Sequence, residues 1–487
     1  MDFAASLTLI TPEIILSVSG LVLLLVAAWA GDRSSTLITV VSCVVLAACF
    51  AVVAPAVCAG ATGPDTVAFG GEFHADAFAG FAKLVIFAAS GAALVVAPAF
   101  FNRLGAMRAE YPVLILFATL GMSVMVSAGD LITLYIGLEL NSLASYVIAA
   151  FLRNDTRSAE AGLKYFVLGA LASGILLFGM SLTYGFTGTV AFEGIRNALT
   201  GEISTGALFG LIFVLAGLAF KIAAVPFHMW TPDVYEGSPT PVALFFASGA
   251  KVAAVALLAR VAMDAFGTQT EAWRQVVIFG AIASIVVGAL GAIGQANIKR
   301  FLAYSSINNV GFILIGLATG TEAGASAMLI YLAIYVPMTV GSFVAVLMLK
   351  DENGEPIEAI ADLSGLSRTR PGLAWCLMAL MFSLAGIPPL FGFWGKFVVF
   401  QAAVQADLVA LAAVGIAASV IGAYYYIKIV KIMFFDDPAD TVKGKSDWAH
   451  WALLAICAIL MSPLGYLLTG WLDRFADGAA AALFFVA

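Results

Sequence analysis

Apolar segments long enough to cross a bilayer recur along all 487 residues of the chain, with only short polar stretches between them. Hydrophobic residue types make up 62% of the sequence and charged types only 11%, which lies far outside the soluble globular range. A backbone inside hydrocarbon must satisfy its own hydrogen bonds, so segments of this length are expected to be helices. The sequence therefore predicts an all-α integral membrane protein with a single transmembrane domain over residues 1–487.

Windows of about 20 apolar residues predict about fourteen transmembrane helices. The first has no basic flank at its start and no evident cleavage site, so we expect a retained span and not a signal peptide. The predicted spans are 9–30, 36–55, 78–97, 111–128, 130–151, 162–186, 206–230, 242–263, 276–294, 301–319, 324–349, 371–400, 408–435 and 448–472.

The basic residues of the loops predict an orientation. Most of them, Lys445 included, follow odd-numbered helices, and the other side of the membrane holds only Arg196, Arg260, Arg274 and Arg474. Because loops rich in lysine and arginine stay in the cytoplasm, we expect the odd-numbered loops inside and both termini on the periplasmic side. The expected location is the bacterial cytoplasmic (inner) membrane, with many spans.

Five charged residues within the predicted spans carry most of the functional information: Lys83, Lys221, Lys251, Lys396 and Glu139. Inserting one such charge at a helix centre costs about 2.5 to 3.5 kcal/mol. Helix packing alone does not explain these charges, because leucine would provide packing without this cost. Lys83, near a helix start, is expected to snorkel or to pair structurally with an acid. For the deeper Lys221 and Lys251, a salt bridge and a place in an ion path are the two alternatives.

A row of buried lysines facing one carboxylate can handle protons. Burial beside a like charge disfavours the protonated amine, so such a lysine can load and unload a proton near neutral pH. A Lys–Glu pair that opens and closes would then act as a switch with the proton as its ligand. The candidate proton-transfer residues are Glu139, Lys221, Lys251 and Lys396.

Helix breakers lie close to two of these lysines. Pro226 follows Lys221, and "SLAGIPPLFGFWGK" places Pro388 and Pro389 shortly before Lys396. Interrupted backbone at membrane depth is tolerated where it lines a cavity or meets buried polar groups. Helices seven and twelve are thus both predicted to be broken. This pattern is expected of two inverted five-helix repeats, helices 4–8 (residues 111–263) and helices 9–13 (residues 276–435), although ordinary proline kinks would also explain it.

Other polar positions allow two interpretations each. His228 and Lys164 lie on a possible proton path, but a structural donor and a snorkelling lysine explain them as well. Asp130 is expected to cap a helix or to form a solvated helix end. A polar stripe in "AYSSINNVGF" could carry water or form a packing seam; its members are Ser305, Ser306, Asn308 and Asn309.

Several classes of function are excluded. The net charge of −7 is spread over short loops, so nothing points to nucleic acid. The five cysteines show no CxxC or Cys/His spacing, which argues against a zinc or iron–sulfur site. No GxGxxG motif opens a helix after a strand. We expect no metal site and no redox centre in this chain.

The stretch "KIAAVPFHMWTPDVYEGSPTPV", together with "SGAKVA", resembles the signature of antiporter-like proton-conducting membrane subunits, a family shared by respiratory complex I and Mrp-type cation/proton antiporters. The resemblance covers essentially the whole chain. It implies a subunit of a redox-coupled proton pump, in which Glu139 and Lys221 form a modulating pair, Lys251 is the central relay and Lys396 passes the proton outward. FMN, iron–sulfur clusters and quinone are then expected in other subunits or at their interfaces.

The resemblance also implies partners: membrane-arm subunits, including homologous antiporter-like ones, and membrane lipids. Two other functions remain alternatives. One is an Mrp-like cation/proton antiporter subunit, although sodium prefers oxygen ligands and the deep row here is cationic. The other is a scaffold subunit whose charges only hold helices together.

Overall fold

The computed structural model describes residues 3–439, 441–444 and 447–484, and it is almost entirely helical. The first half contains α1 Phe3–Leu9, α2 Thr11–Ala30, α3 Ser35–Ala59, α4 Ala77–Arg103, α5 Glu110–Ser127, α6 Leu131–Ala149, α7 Thr156–Thr187, α8 Phe192–Ala198, α9 Thr205–Ile222, α10 Trp230–Gly237, α11 Thr240–Ala247 and α12 Gly249–Arg260. The second half contains α13 Thr270–Ile293, α14 Ile298–Ala318, α15 Glu322–Leu347, α16 Leu366–Thr369, α17 Pro371–Ala385, α18 Gly392–Gln405, α19 Val409–Phe435, α20 Trp448–Met461 and α21 Thr469–Leu483.

Eleven helical segments of the described residues are long and apolar enough to cross a membrane, or up to twelve if the bent pair at the C-terminal end is one span. This confirms a mostly helical, multi-pass membrane protein. The count of fourteen stays a prediction. Three features explain the difference. Thr11–Ala59 counts as one stretch, although the 3₁₀ turn Gly31–Ser34 divides it into α2 and α3. α17 and α18 are each too short to count as a span, and the C-terminal pair is bent.

The centre of the bundle is formed by three segments that the protein buries almost completely. Thr240–Ala265 is 94% buried, Ile298–Ala318 is 94% buried and Glu322–Leu347 is 89% buried. By contrast, Thr11–Ala59 is 39% buried and carries a large apolar surface. Charged side chains on the central segments are therefore shielded from lipid by other helices.

The two predicted helix breaks are present. α9 ends at Ile222, where Ala223 adopts the left-handed conformation with φ +61°, and α10 begins only at Trp230. Pro226 lies in this non-helical segment, so the predicted span 206–230 is interrupted near the proline, as expected. α17 ends before Gly386, with φ +79°, and α18 begins at Gly392. Both proline junctions, Val225–Pro226 and Pro388–Pro389, are cis.

A third break was not predicted. α11 ends at Ala247 and α12 starts at Gly249, with Ser248 between them at φ −112° and ψ −92°. No proline lies at this position, and the local signal is the Ser248–Gly249 dipeptide, a combination that is typical of turns. Lys251 follows three residues after Ser248. The break thus places this lysine in the first turn of a new helix.

One end of the bundle carries a two-stranded antiparallel hairpin, β1 Val67–Ala68 and β2 Phe73–His74. Arg260, at the end of α12, reaches this region and makes two hydrogen bonds to Asp76, at 2.8 and 2.9 Å. Asp76 also caps α4 by accepting from the Ala79 amide. Of the basic residues that predicted the orientation, Lys445 lies outside the described residues.

Candidate ion-translocation site

Glu139 and Lys221 are joined through a serine. Ser173 on α7 donates a hydrogen bond of 2.5 Å from its hydroxyl to Glu139 on α6. The same hydroxyl accepts from the Lys221 ammonium on α9 at 3.4 Å, and Ser142 accepts from this ammonium at 2.8 Å. The predicted pair therefore meets, but indirectly: a hydroxyl that can both donate and accept lies between base and acid.

Lys251 is bound by the first helix break. Its ammonium, in a residue that is 1% exposed, donates to the backbone carbonyl of Ile222 at 3.1 Å. Ile222 is the last residue of α9, so its carbonyl has no continuing helix to bond to. The break thus supplies an oxygen ligand for a buried cation from the residue that follows Lys221.

Lys396 is bound by the second break in a similar way. Its ammonium donates to the carbonyl of Ala385, the last residue of α17, at 2.9 Å and to the Ser419 hydroxyl at 3.0 Å. The ammonium also lies 4.5 Å from the ring centre of Phe312. Unlike Lys251, it borders a largely apolar cavity of about 630 Å³.

Hydroxyl and amide groups of α14 form buried hydrogen bonds with tyrosines of α15 and α19. Ser306 on α14 bonds to Tyr335 on α15 at 2.8 Å, and Tyr331 donates to Asn309 at 2.7 Å. Asn309 and Ser305 both bond to Tyr426 on α19. The predicted polar stripe is therefore a buried hydrogen-bonded cluster, to which Asn308 also belongs through Tyr425.

The cluster leads towards Lys396. Phe312, which touches the Lys396 ammonium, lies one turn beyond Asn309 on α14. On α15, the Tyr331 ring packs against Gly395, the residue before Lys396. The cluster thus adjoins the second break through the aromatic rings of Phe312 and Tyr331.

Lys164 takes part in an ion-pair cluster at the opposite end of the bundle from the hairpin. It pairs with Glu160 at 2.7 Å and with Asp233 at 2.9 Å, and Asp233 also pairs with Arg300 at 2.6 Å. Burial raises the pKa of the Asp233 carboxyl, but its hydrogen bonds with Lys164 and Arg300 outweigh burial and hold the pKa below the ordinary value. His228 lies half-buried in the segment between α9 and α10.

Lys83 forms a buried ion pair that the sequence did not specify. Its ammonium lies 2.7 Å from a carboxylate oxygen of Glu13, and the two side chains are 3% and 8% exposed. The snorkelling alternative for Lys83 is therefore wrong, and the pairing alternative describes the contact. The Asp130 cap is confirmed, because its carboxylate accepts from the amides of Ile132 and Thr133 at the start of α6.

Sequence reasoning missed the residues that connect the charges. Ser142 and Tyr146 follow Glu139 by three and seven positions, a spacing that places all three on one helix face. Tyr331 and Tyr335 share a face of α15 in the same way. Ser173 had no such signal, since it lies in a run of small residues. Among the described residues, no group of three or more His, Cys, Asp or Glu side chains is arranged to hold a metal ion.

A bundle of membrane helices whose breaks bind buried lysines has the architecture of antiporter-like membrane proteins. The family model described as NADH:quinone oxidoreductase/Mrp antiporter, TM, matches residues 128–422. NADH-quinone oxidoreductase subunit N of Erythrobacter litoralis is 72% identical over 99% of both chains. The chain belongs to the NADH:quinone oxidoreductase/Mrp antiporter family.

Solved structures agree with this membership. A chain of respiratory complex I from Thermus thermophilus is 32% identical, with a TM-score of 0.80, and the match covers 95% of this chain and 98% of that one. A chain of the Mrp complex from Dietzia sp. is 25% identical, with a TM-score of 0.83, and the match covers 98% of both chains. The fold is thus similar to membrane subunits of both assemblies.

Proposed function

We propose that this chain is a proton-translocating membrane-arm subunit of a bacterial NADH-quinone oxidoreductase, equivalent to the subunit N of its relatives. The observation that carries the proposal is the pairing of each broken helix with a buried lysine, in a chain 72% identical over nearly its whole length to a protein of that name. A scaffold could hold its helices together with leucines and would not need cations at helix breaks.

The proposed route runs from Glu139 through Ser173 to Lys221, on to Lys251 and through the hydroxyl–amide cluster to Lys396. Withdrawal of Glu139 from Ser173 would leave the Lys221 ammonium without its nearby negative charge and favour release of its proton. Lys251 would accept this proton when its amine is neutral. Lys164 and His228 are possible entry groups for the same route.

Two sets of ion pairs support the proposed orientation. Lys164, Asp233 and Arg300 meet at the end of the bundle opposite the hairpin. They follow the predicted helices five, seven and nine, whose loops are expected in the cytoplasm. Arg260 pairs with Asp76 at the other end, the side of the even-numbered loops. We therefore propose that the first end is cytoplasmic and that both termini are periplasmic.

We further propose fourteen spans arranged as inverted repeats over residues 111–263 and 276–435. α17 and α18 are each too short to cross a bilayer alone, so together they would form one span broken at Gly386. α2 and α3 would be two spans. In each half, the carbonyl of the last residue of a broken helix binds a lysine: Ile222 binds Lys251 and Ala385 binds Lys396. A feature that recurs in both halves is expected of structural repeats.

We propose that electron transfer takes place in other chains of the complex. We propose that FMN, iron–sulfur clusters and quinone belong to other subunits or their interfaces, and that this chain packs beside homologous antiporter-like subunits and membrane lipids. An Mrp-like antiporter subunit is the alternative, since the Dietzia Mrp chain has the same fold.

Substitution of Lys221 and Glu139 tests the proposal. Lys221→Ala and Glu139→Ala are expected to leave the complex assembled and to lower NADH-driven proton transport by about tenfold or more, because a positioned proton-transfer group contributes at least that much. Lys428→Ala, at an exposed lysine, is the control and should transport normally. Loss of assembly would instead indicate a scaffold. Proton transport that needs neither NADH nor quinone would indicate an antiporter.

A further inference from the structure

The Glu13–Lys83 pair lies outside the segment that the family model matches, residues 128–422. It connects the start of α2 with the start of α4, at the end of the bundle that carries the β hairpin. Glu13 also accepts a hydrogen bond of 2.5 Å from Ser123 on α5. Three helices thus place one acid, one base and one hydroxyl together in the protein interior.

One oxygen of the Glu13 carboxylate in this ion pair lacks a hydrogen bond. The Oε2 atom of Glu13 is buried and has no hydrogen-bond partner within the described residues. A buried carboxylate oxygen in this state is unfavourable unless it binds water or a proton. Lys83 lines a cavity of about 130 Å³ together with Thr8 and Ala75. At roughly 30 Å³ per molecule, this cavity has room for several waters.

Further hydroxyls connect this pair with the middle of the bundle. Thr119 lies one helical turn before Ser123 on α5, so both face the same side. Its hydroxyl oxygen lies 3.0 Å from the Ser90 hydroxyl on α4 and 2.7 Å from the Ile115 carbonyl of its own helix, so its single hydrogen can be donated to either. Ser90 lies against Gly249, the first residue of α12: a Cβ added at Gly249 would lie 3.6 Å from the Ser90 oxygen. The hydroxyl series therefore ends at the helix break beside Lys251.

We propose that Ser90, Thr119, Ser123 and the Glu13–Lys83 pair form a lateral proton branch from the break beside Lys251 to the cavity at the start of α2. The branch rests on the proposed function. It gives the first half of the chain an outlet of its own, separate from the route to Lys396.

The transfer steps conserve protons. Ser123 passes its hydroxyl proton to Glu13 and takes another from the side of Thr119, through a water that spans one helical turn. Protonated Glu13 no longer holds the Lys83 ammonium, which gives one proton to water in the cavity. Glu13 then returns its proton to the Lys83 amine, and the ion pair is restored. Cys49, whose thiol donates to the carbonyl of Pro12, is a further titratable neighbour.

The test compares proton transport per NADH oxidised in the intact complex, reconstituted in vesicles. The variants are Glu13→Gln, Thr119→Val and Lys251→Met. Thr119→Val is decisive because it removes the hydroxyl, keeps the side-chain shape and leaves the ion pair intact. Thr183→Val is the matched control, since Thr183 is 1% exposed and bonds within its own helix.

The branch predicts that Thr119→Val and Glu13→Gln each cause at least half of the decrease in this ratio that Lys251→Met causes, while Thr183→Val leaves the ratio unchanged. If Lys251→Met lowers the ratio and Thr119→Val does not, the branch is overturned and the proposed function stands. If Lys251→Met itself leaves the ratio at the wild-type value, the proposed function fails and the branch fails with it. Should Glu13→Gln prevent assembly, Thr119→Val still decides.

Discussion

The helix breaks after α9 and after α17 each bind a buried lysine ammonium, but their surroundings differ. At the first break, the carbonyl of Ile222 binds Lys251, which comes from another helix and is 1% exposed. At the second, the carbonyl of Ala385 binds Lys396, which lies beyond the break in the same span and borders a cavity of about 630 Å³. Each break turns an unused helix carbonyl into a ligand for a buried ammonium.

The difference lies in the neighbouring charges. The first break adjoins Lys221, which is linked through Ser173 to the carboxylate of Glu139. At the second break, the described residues provide Lys396 with a carbonyl, the Ser419 hydroxyl and an aromatic ring, but no carboxylate within ion-pair distance. The first break is thus suited to modulation by a moving charge, and the second to release into accessible space.

The largest expected effect follows from removing each lysine. Lys251→Ala and Lys396→Ala should both lower NADH-driven charge transport by about tenfold or more. Ethylamine should restore part of the transport in Lys396→Ala, because the cavity admits a small amine. It should not do so in Lys251→Ala, whose site is closed. A potential-sensitive dye measures transport, since amines dissipate pH gradients.

Lys396→Arg controls for loss of the side-chain volume at the second break. Equal rescue of both alanine variants by ethylamine would show that the two breaks do not differ in access.

A smaller effect is expected at the hydroxyl that joins acid and base. Ser173→Ala should slow proton transport about tenfold, because a hydrogen bond to a charged group contributes roughly 1.5 kcal/mol or more. Ser173→Thr keeps the hydroxyl and should retain most of the rate. Ser142→Ala removes a hydroxyl that binds Lys221 without reaching Glu139, so a loss as large as that in Ser173→Ala would argue against a special bridging role.

The smallest effect concerns the left-handed residue that ends each helix. Gly386→Ala should destabilise the second break by about 1 kcal/mol, since an L side chain is strained at φ +79°. Its Cβ would also lie 2.8 Å from the Lys396 side chain. The first break already has alanine at this place, so Ala223→Gly should stabilise it slightly. Thermal unfolding of the complex measures both; equal shifts in the same direction would contradict this account.

The membrane class, the lysines and the breaks near prolines could be predicted because hydropathy and helix breakers are local properties of the sequence. Ser248 shows the limit: its break has no proline, and the Ser248–Gly249 dipeptide, which is typical of turns, lies within an apolar stretch that hydropathy predicts as one continuous span. Contacts between helices that are far apart in the chain could not be predicted from the sequence either. Nothing near Lys83 in sequence indicates Glu13, and nothing near Lys251 indicates that the Ile222 carbonyl binds it. The polar stripe of α14 was visible, but its tyrosine partners lie on other helices.

Ordered water in the intact complex tests the central claim most directly, because proton transfer over these distances needs a hydrated connection between the charges. A density map that resolves water should show molecules linking Lys221 to Lys251, and linking Lys251 through the Ser306–Tyr335 and Asn309–Tyr331 hydroxyls and amides to Lys396. A gap between Lys251 and Lys396 that is filled by apolar side chains, in every state of the working enzyme, would contradict the proposed route.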